Sequence, residues 1–537
     1  MSPLDAVVLG IYSLTLAALA VYSVHRLYLV RLRRRHSATR ETPAAPDRWP
    51  AVTIQLPLYN EPNVAARVID AAAAIDYQGA LDIQVLDDST DETCAIVDER
   101  VEFHRARGVR IERIRRGSRD GFKAGALAHG MAISGAELFA VFDADFVPPR
   151  DFLVKTVPHF NDERVGMVQA RWTHLNRDES LLTRVQAIFL DAHFAVESAA
   201  RYFAGRFFNF NGTAGVWRRA AIEDAGGWSA RTLTEDLDLS YRAQLAGWKF
   251  VFLPEVEVAA ELPAALSGFQ EQQHRWAKGS IQTARKLLPR IASSSEPRST
   301  RSEAFFHLTN NSAYLLTTIV ALLIVPAIVI RQRAGVRWTF AFDAILFLAS
   351  TMSVLVFYIE GQRWAHRARP RWRELMAVLP VGIGISLRNS VAVLEGLFEQ
   401  GGEFRRTPKR GAADAAPWER MPRVPWGELI LATFFVSAAA AFVSARQWLS
   451  LPFLSLFLGG YLFIAVQALR ERRALRCGSH AAPEPRRDAR GRELDRPGAD
   501  ADRPRGAAPE WQALRLDARG VEVHRRERPR RLSLEAD

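Results

Sequence analysis

The sequence predicts an α/β domain, with a mixed and mostly parallel sheet flanked by helices, joined to an α-helical transmembrane region. Three observations carry this expectation. Long uncharged runs stand near the N-terminus and again after residue 307, whereas residues 51–290 alternate short apolar strands with helical stretches. Acidic clusters follow two of those strands directly, at Asp87-Asp88 and at Asp143 and Asp145. Arginines crowd the ends of the uncharged runs, as they do where a chain crosses a bilayer.

The 537 residues suffice for one large domain plus membrane elements. Net charge is +12, and only six of the 71 basic residues are lysines. Because these residues lie beside apolar runs, their charge points to membrane topology and away from nucleic acid. Cys94 and Cys477 are far apart and form no CxxC pair, which fits a reducing compartment and argues against a zinc site.

Residues 6–24 are a charge-free run followed by His25, Arg26, Arg31, Arg33, Arg34 and Arg35. A bilayer core takes about 20 apolar helical residues. A secretory signal carries its positive charge ahead of the apolar core; here the charge follows, which predicts an uncleaved anchor with its C-terminal end inside. Four later spans are expected at 307–330, 340–360, 426–445 and 449–469. Arg331, Arg333 and Arg337 separate the first two and sit unfavourably for an outside loop. Residues 375–397 are apolar but hold Pro380, Gly382, Gly384, Arg388 and Asn389, with basic stretches on both sides. That pattern predicts an interfacial or re-entrant helix. The resulting scheme has five spans, the N-terminus outside, and the large domain and tail inside. From His480 the tail is rich in Arg, Asp, Pro, Gly and Ala; it is expected to be disordered and suited to contact with anionic lipid. The expected division is an anchor at 1–35, a catalytic domain at 50–300, membrane helices at 301–476 and the tail at 477–537.

Within the domain, 52–57 reads as a buried strand and 63–75 as a helix capped by Asn63. A second strand covers 81–86, with Asp87-Asp88-Ser89-Thr90 at its carboxyl end. A helix through about His104 follows, then strands at 109–114 and 137–142. Such alternation argues a sheet with ligands beyond the strands' carboxyl ends. Neither GxGxxG nor GxxxxGK[ST] occurs, so the dinucleotide and P-loop fingerprints are absent.

Asp143 and Asp145 directly follow an apolar strand, and carboxylates set among apolar residues need partners. Spaced i, i+2 at a turn, both reach one hard divalent cation, which in turn holds a diphosphate and neutralises the charge it gains on leaving. Thr234-Glu235-Asp236 opens a helix expected to run through Leu245. Arg275 suits bidentate phosphate contact, and Trp276 suits stacking on a sugar face.

Taken in order, these motifs resemble the family 2 glycosyltransferases of the cellulose-synthase superfamily, with their D, DxD, TED, QxxRW pattern. Leu56-Pro57-Leu58-Tyr59-Asn60-Glu61, Asp87-Asp88-Ser89, Lys123-Ala124-Gly125-Ala126, Asp143/Asp145, Thr234-Glu235-Asp236 and Gln272-x-x-Arg275-Trp276 all match. Val168-Gln169-Ala170-Arg171-Trp172 and Phe210-Asn211-Gly212-Thr213-Ala214-Gly215-Val216-Trp217 look closest to the cellulose-synthase-like A and C branch, whose products are β-1,4-mannan or glucomannan and the xyloglucan backbone. The resemblance covers about residues 52–409.

It implies a GT-A catalytic fold and a role for each matching position. Tyr59, Glu61 and one of Asp87 or Asp88 would line the base and ribose, and Lys123 would contact the diphosphate or the donor. Asp143 and Asp145 would hold Mg²⁺ or Mn²⁺. Within the Thr234-Glu235-Asp236 motif, Asp236 would be the general base. Gln272 and Arg275 would hold the diphosphate, and Trp276 would support the acceptor sugar. One base without a covalent nucleophile implies inversion, so an α-linked donor gives a β-linked product. Phe404-Arg405-Arg406-Thr407-Pro408-Lys409 looks like the FxVTxK gating loop, with Arg406 in place of valine and Lys409 able to close on the diphosphate. No [DN]xSxxG occurs in the tail, so no cyclic-di-GMP module is expected, and five spans are few for a one-chain polymer channel. The expected activity is transfer from GDP-mannose or UDP-glucose to a growing β-linked, β-1,4-type glycan at the inner membrane. The rival is a non-processive glycolipid synthase, and a non-catalytic membrane scaffold is a more distant one.

Overall fold

The computed structural model describes residues 2–36, 43–335, 339–366, 371–402 and 422–478. The gating-like loop with Lys409 and the expected tail from His480 therefore lie outside the described residues. The chain opens with α1 (Pro3–Arg35), capped by Ser2 and ending in three arginines. It then enters an alternating domain: β1 (Val52–Leu58), α2 (Ala65–Ala73), β2 (Leu81–Asp87), α3 (Thr93–Arg105), β3 (Ile111–Ile114), α4 (Phe122–Ile133) and β4 (Leu138–Val141). The second half is less regular. It comprises β5 (Phe146–Val147), α5 (Phe152–Thr156), β6 (Val165–His174), α6 (Leu181–Ala192), a π-helical turn at His193–Ser198, α7 (Ala199–Phe203), β7 (Gly215–Arg218), α8 (Arg219–Asp224), α9 (Glu235–Leu245) and β8 (Lys249–Ala260).

All eight strands join one sheet in the order β3-β2-β1-β4-β7-β6-β8-β5. The β3-β2-β1-β4 half is parallel throughout, with Val52 opposite both Leu81 and Leu138. Three antiparallel pairings, β4/β7, β6/β7 and β5/β8, make the sheet mixed. Apolar residues on the central strands, among them Ile54, Val85, Phe139, Val216 and Phe252, are buried, as a sheet covered on both faces requires. The parallel half places the ends of β1, β2 and β4 on one edge, where the acidic clusters stand.

The expected strands and helices recur with small shifts. Asn63 is not the cap of α2; the helix starts one residue later, and Val64 occupies that position without a side-chain cap.

Beyond the domain come α10 (Leu266–Ala292), α11 (Arg298–Thr309), α12 (Ser312–Arg333), α13 (Thr339–His366), α14 (Trp372–Gly384), α15 (Ser386–Phe398), α16 (Trp426–Ser444) and α17 (Leu451–Gly478). Among the described residues, five helices are long and apolar enough to cross a membrane: α1, α12, α13, α16 and α17. The span expected from His307 instead starts at Ser312, because the chain breaks at Asn310-Asn311, and Asn311 Nδ2 turns back to donate to Ser280 Oγ at 2.7 Å. The segment read as interfacial or re-entrant is a pair of short helices, α14 and α15, bent by 46°. Arg331, expected to burden an outside loop, is buried. It pairs with Asp343 of α13, donates to Ser13 Oγ at 3.2 Å and lies over the Tyr12 ring. Its charge is thus met inside the helix bundle. At the other end of α13, Gln362 and His366 both reach Asp191 of α6, at 2.8 and 2.7 Å, and tie the bundle to the domain.

Candidate active site

The ends of β1, β2 and β4 converge with the first turn of α9 and one face of α10 on a single cavity of about 160 Å³. Its walls include Tyr59, Glu61, Asp88, Lys123, Asp143, Asp145, Thr234, Glu235, Asp236, Gln272, Arg275 and Trp276. Residues more than 200 positions apart in sequence therefore meet, and all but two of the expected site residues are among them.

The two exceptions are Lys409, outside the described residues, and Asp87. Asp87 ends β2 facing the sheet's interior: it is 1% exposed, accepts from the Ser89 amide at 2.9 Å, and pairs with Arg113 of β3 at 2.6 Å. It is a structural ion pair. Asp88, one residue on, turns to the opposite side and lines the cavity, held there by Arg116.

β4 ends against the loop that carries Gly212 and Thr213. Thr213 Oγ1 accepts from the Asp143 amide at 2.9 Å, and Lys123 Nζ bridges Asp143 Oδ1 at 2.5 Å and the Gly212 carbonyl at 2.8 Å. Burial alone would lower the Lys123 pKa, but the negative charges of Asp143 and Glu235 outweigh it and hold it up. Gly212 takes a left-handed φ of +83°, and a Cβ there would stand 3.0 Å from Asp236 Oδ2. The lack of a side chain at Gly212 is what lets the loop approach Asp236 so closely.

Asp236 sits in the first turn of α9, and its Oδ1 accepts from the Leu237 amide at 2.8 Å. Burial and the neighbouring Glu235 carboxylate raise its pKa to about 7, while Lys123 pulls the other way. Thr234 places its hydroxyl 3.3 Å from that of Thr283 on α10. α10 can lie this close because residue 279 is glycine: a Cβ there would come within 2.6 Å of Thr234 Cγ2 and 2.9 Å of its amide nitrogen. On α10, Gln272, Arg275 and Trp276 follow the i, i+3, i+4 spacing of one helix face. Burial lowers the Arg275 pKa against the opposing pull of Glu235, Asp143, Asp236 and Asp145. A guanidinium keeps its charge under such conditions, so Arg275 stands as a cation facing four carboxylates.

Carboxylates thus outnumber cations along this wall. Among the described residues no three His, Cys, Asp or Glu side chains form a complete metal cage. Asp143 and Asp145 supply two hard oxygen donors at a turn, a set that fits a cation whose remaining ligands come from a bound diphosphate.

Several lining residues were not singled out by their sequence. Arg119 lies over the Tyr59 ring, 3.3 Å from its centroid. A second cavity, about 390 Å³, adjoins the first and shares Trp172, Asn211, Thr234, Asp236, Gln272 and Trp276 with it. It extends between α1, α12, α13, α14 and α17, past Tyr22, Arg26 and Tyr314 to Leu16, Val320, Phe347 and Phe457. Five spans were expected to be few for a channel; four of them, α1, α12, α13 and α17, together with α14, line a cavity that adjoins the acidic site. Asn211 and Gly212 belong to the Phe210–Trp217 motif already noted in the sequence, which was the available signal.

A family model described as glycosyltransferase like family 2 matches residues 50–279. Three proteins of Oryza sativa subsp. japonica are similar to this chain over part of its length. Those described as probable glucomannan 4-beta-mannosyltransferases 11, 9 and 7 are 45% identical over 249 residues, 40% over 308 and 46% over 245. The matches cover 45, 55 and 44% of this chain and 44, 58 and 42% of theirs, so the chain spans about half the length of the curated relatives it matches. Among solved structures, a Pyrobaculum calidifontis mannosyltransferase in complex with GDP-Man and Mn²⁺ superposes with a TM-score of 0.50 at 21% identity, over 73% of this chain and 99% of that one. That likeness establishes the shared fold.

Proposed function

With residues 50–279 constituting a family 2 glycosyltransferase domain, we propose that the protein is an inverting, metal-dependent glycosyltransferase that builds a β-linked glycan from a nucleotide sugar. The observation that carries this reading is the meeting of Asp143, Asp145, Asp236 and Arg275 around one cavity.

Asp143 and Asp145 would hold Mg²⁺ or Mn²⁺. When bound, that ion neutralises charge on the leaving diphosphate. Arg275, Gln272 and Lys123 would bind the same diphosphate, and Tyr59, Glu61 and Asp88 would line the nucleoside. The acceptor hydroxyl oxygen attacks the anomeric carbon of an α-linked donor from the face opposite the diphosphate. Its proton passes to the Asp236 carboxylate, and the anomeric C–O bond breaks with its electron pair going to the nucleoside diphosphate. The product is β-linked. A carboxylate near pH 7 is poised to take that proton at neutral pH. Trp276, at the junction of both cavities, would support the acceptor's terminal sugar.

The donor we favour is GDP-mannose, on the strength of the rice relatives' names, with UDP-glucose second. The glycan would be a β-1,4 mannan or glucan. The three arginines ending α1 support placing that end in the cytoplasm. The catalytic domain would then face the cytoplasm, on the plasma membrane. The cavity among the membrane helices gives a growing chain a path away from Asp236. Its far end is apolar, with Leu16, Val320, Phe347 and Phe457, and that observation favours the second reading, transfer of one sugar to a lipid. Membranes given labelled GDP-mannose or UDP-glucose separate the two. Alkali-insoluble polymer supports the synthase, organic-soluble product supports the lipid enzyme, and no sugar transfer from either donor refutes both.

A further inference from the structure

We propose that His193 and Glu197 form a positioning pair that holds Asn211 ready to bind the acceptor sugar; this rests on the glycosyl-transfer reading above. The helix that begins as α6 widens to a π-turn at His193–Ser198 before continuing as α7. Such turns are rare and concentrate at functional sites, because the extra residue redirects side chains. Here it places His193 and Glu197 on the wall of the cavity that enters the membrane helices.

His193 is clamped at two points. Its Nδ1 lies 3.1 Å from Glu197 Oε2 and its Nε2 2.9 Å from Asn211 Oδ1. Asn211 Oδ1 also accepts from Asn209 Nδ2 at 3.2 Å, and the Asn211 amide donates to Gln169 Oε1 at 2.9 Å. With both ring nitrogens of His193 protonated, as the two acceptors facing them require, Asn211 Oδ1 is taken twice and its Nδ2 donor is left for a ligand, engaged among the described residues only by a long 3.4 Å contact to the Asn209 carbonyl. Glu197 is itself fixed. It lies 3.6 Å from Arg201, which bonds Glu303 at 3.0 Å, and Glu303 meets His25 of α1 at 2.9 Å. Burial would raise the Glu197 pKa, yet the His193 hydrogen bond and the Arg201 charge hold it below the usual carboxylate range.

Asn211 stands where the two cavities join, beside Gly212 and hence beside Asp236. An acceptor hydroxyl must lie against Asp236 to lose its proton, so the ring that carries it lies beside Asn211. The chain from Glu197 through His193 thus fixes a hydrogen-bond donor at the acceptor subsite, and neither His193 nor Glu197 lines the cavity proposed for the donor nucleotide.

The test uses the full chain in lipid nanodiscs with Mn²⁺, GDP-mannose and β-1,4-mannotetraose, with the UDP-glucose and glucotetraose pair in parallel. His193→Ala and Asn211→Ala are each expected to raise the acceptor KM about 10- to 100-fold, the range of one lost hydrogen bond to a polar group. The donor KM and GDP affinity should stay within about twofold, and the double variant should be no worse than either single one. His193→Gln, which keeps one N–H for Asn211, should recover part of the loss. In an Asp236→Asn background, tetraose binding read by tryptophan fluorescence should show the same losses without turnover. Multiplicative single effects, equal loss of acceptor and GDP affinity, or an unchanged acceptor KM overturn the positioning role. A wild-type protein that transfers no sugar from any donor refutes the glycosyl-transfer reading itself.

Discussion

Replacing Asp236 by asparagine is expected to make the protein more stable and inactive at once. The carboxyl rises from 3.8 to about 7 in the folded state because burial and Glu235 disfavour its charge. A shift of one unit corresponds to about 1.36 kcal/mol, so the full shift corresponds to about 4 kcal/mol of strain on the ionised form. Solvent at the cavity mouth screens part of this, leaving ~2 kcal/mol. The sign follows from linkage. Below pH 3.8 the group is neutral folded and unfolded and costs nothing. As pH rises toward 7 the unfolded chain ionises while the folded one resists, and above 7 the destabilisation is complete. Asparagine should therefore leave the melting temperature unchanged near pH 4 and raise it by a few degrees at pH 8. Transfer should fall by about 10²–10⁴, the range for loss of a general base, while GDP binding with Mn²⁺ stays intact. Paired melting curves at both pH values, with labelled-sugar transfer, make the measurement. A variant that is less stable at pH 8, or one that keeps wild-type turnover, refutes the reasoning.

Other expectations follow from the same geometry. Wild-type kcat/KM should rise with pH through about 7, as Asp236 loses its proton. Gly279→Ala should cut transfer at least about tenfold with the fold retained, because the new methyl must push Thr234 and the following Asp236 aside; unchanged kinetics would mean that the α10–α9 approach does not position the base. Asp145→Ala should weaken GDP binding in the presence of Mn²⁺ and leave metal-free binding unaltered, as calorimetry would read. Asp87→Asn should cost about 1–2 kcal/mol by weakening the buried bond to Arg113, which keeps Asp98 as its second partner, and leave the donor KM unchanged; a raised KM with normal stability would return Asp87 to the nucleotide site.

Much of this site was legible because its residues break local rules. Asp143 and Asp145 interrupt an apolar strand, and Gln272, Arg275 and Trp276 share one helical face at their spacing. The choice between Asp87 and Asp88 was not legible. Adjacent residues at a strand end point to opposite sides, and only the pairing of β2 with β3, which sets Val85 opposite Arg113, shows which side is closed by an arginine. The break before α12 had a visible signal in Asn310-Asn311, which a hydropathy reading passes over. Asp343, a lone acid in an apolar run, similarly announced a partner, but nothing local named Arg331. The cavity among the membrane helices has no sequence signature, since its walls come from α1, α12, α13, α14 and α17 and exist only once these pack. The His193–Glu197 pair was hidden too, because a π-turn changes which residues share a face and leaves the composition ordinary.

The central claim is tested most directly by the stereochemistry of one transfer. Purified protein in nanodiscs, supplied with Mn²⁺, an α-linked nucleotide sugar and a tetraose acceptor, yields a product whose new anomeric proton is read by NMR. Asp236 acting alone as base opposite the diphosphate requires a β-linkage, lost in Asp236→Asn. An α-linked product, or β-product formed equally well without Asp236, contradicts it.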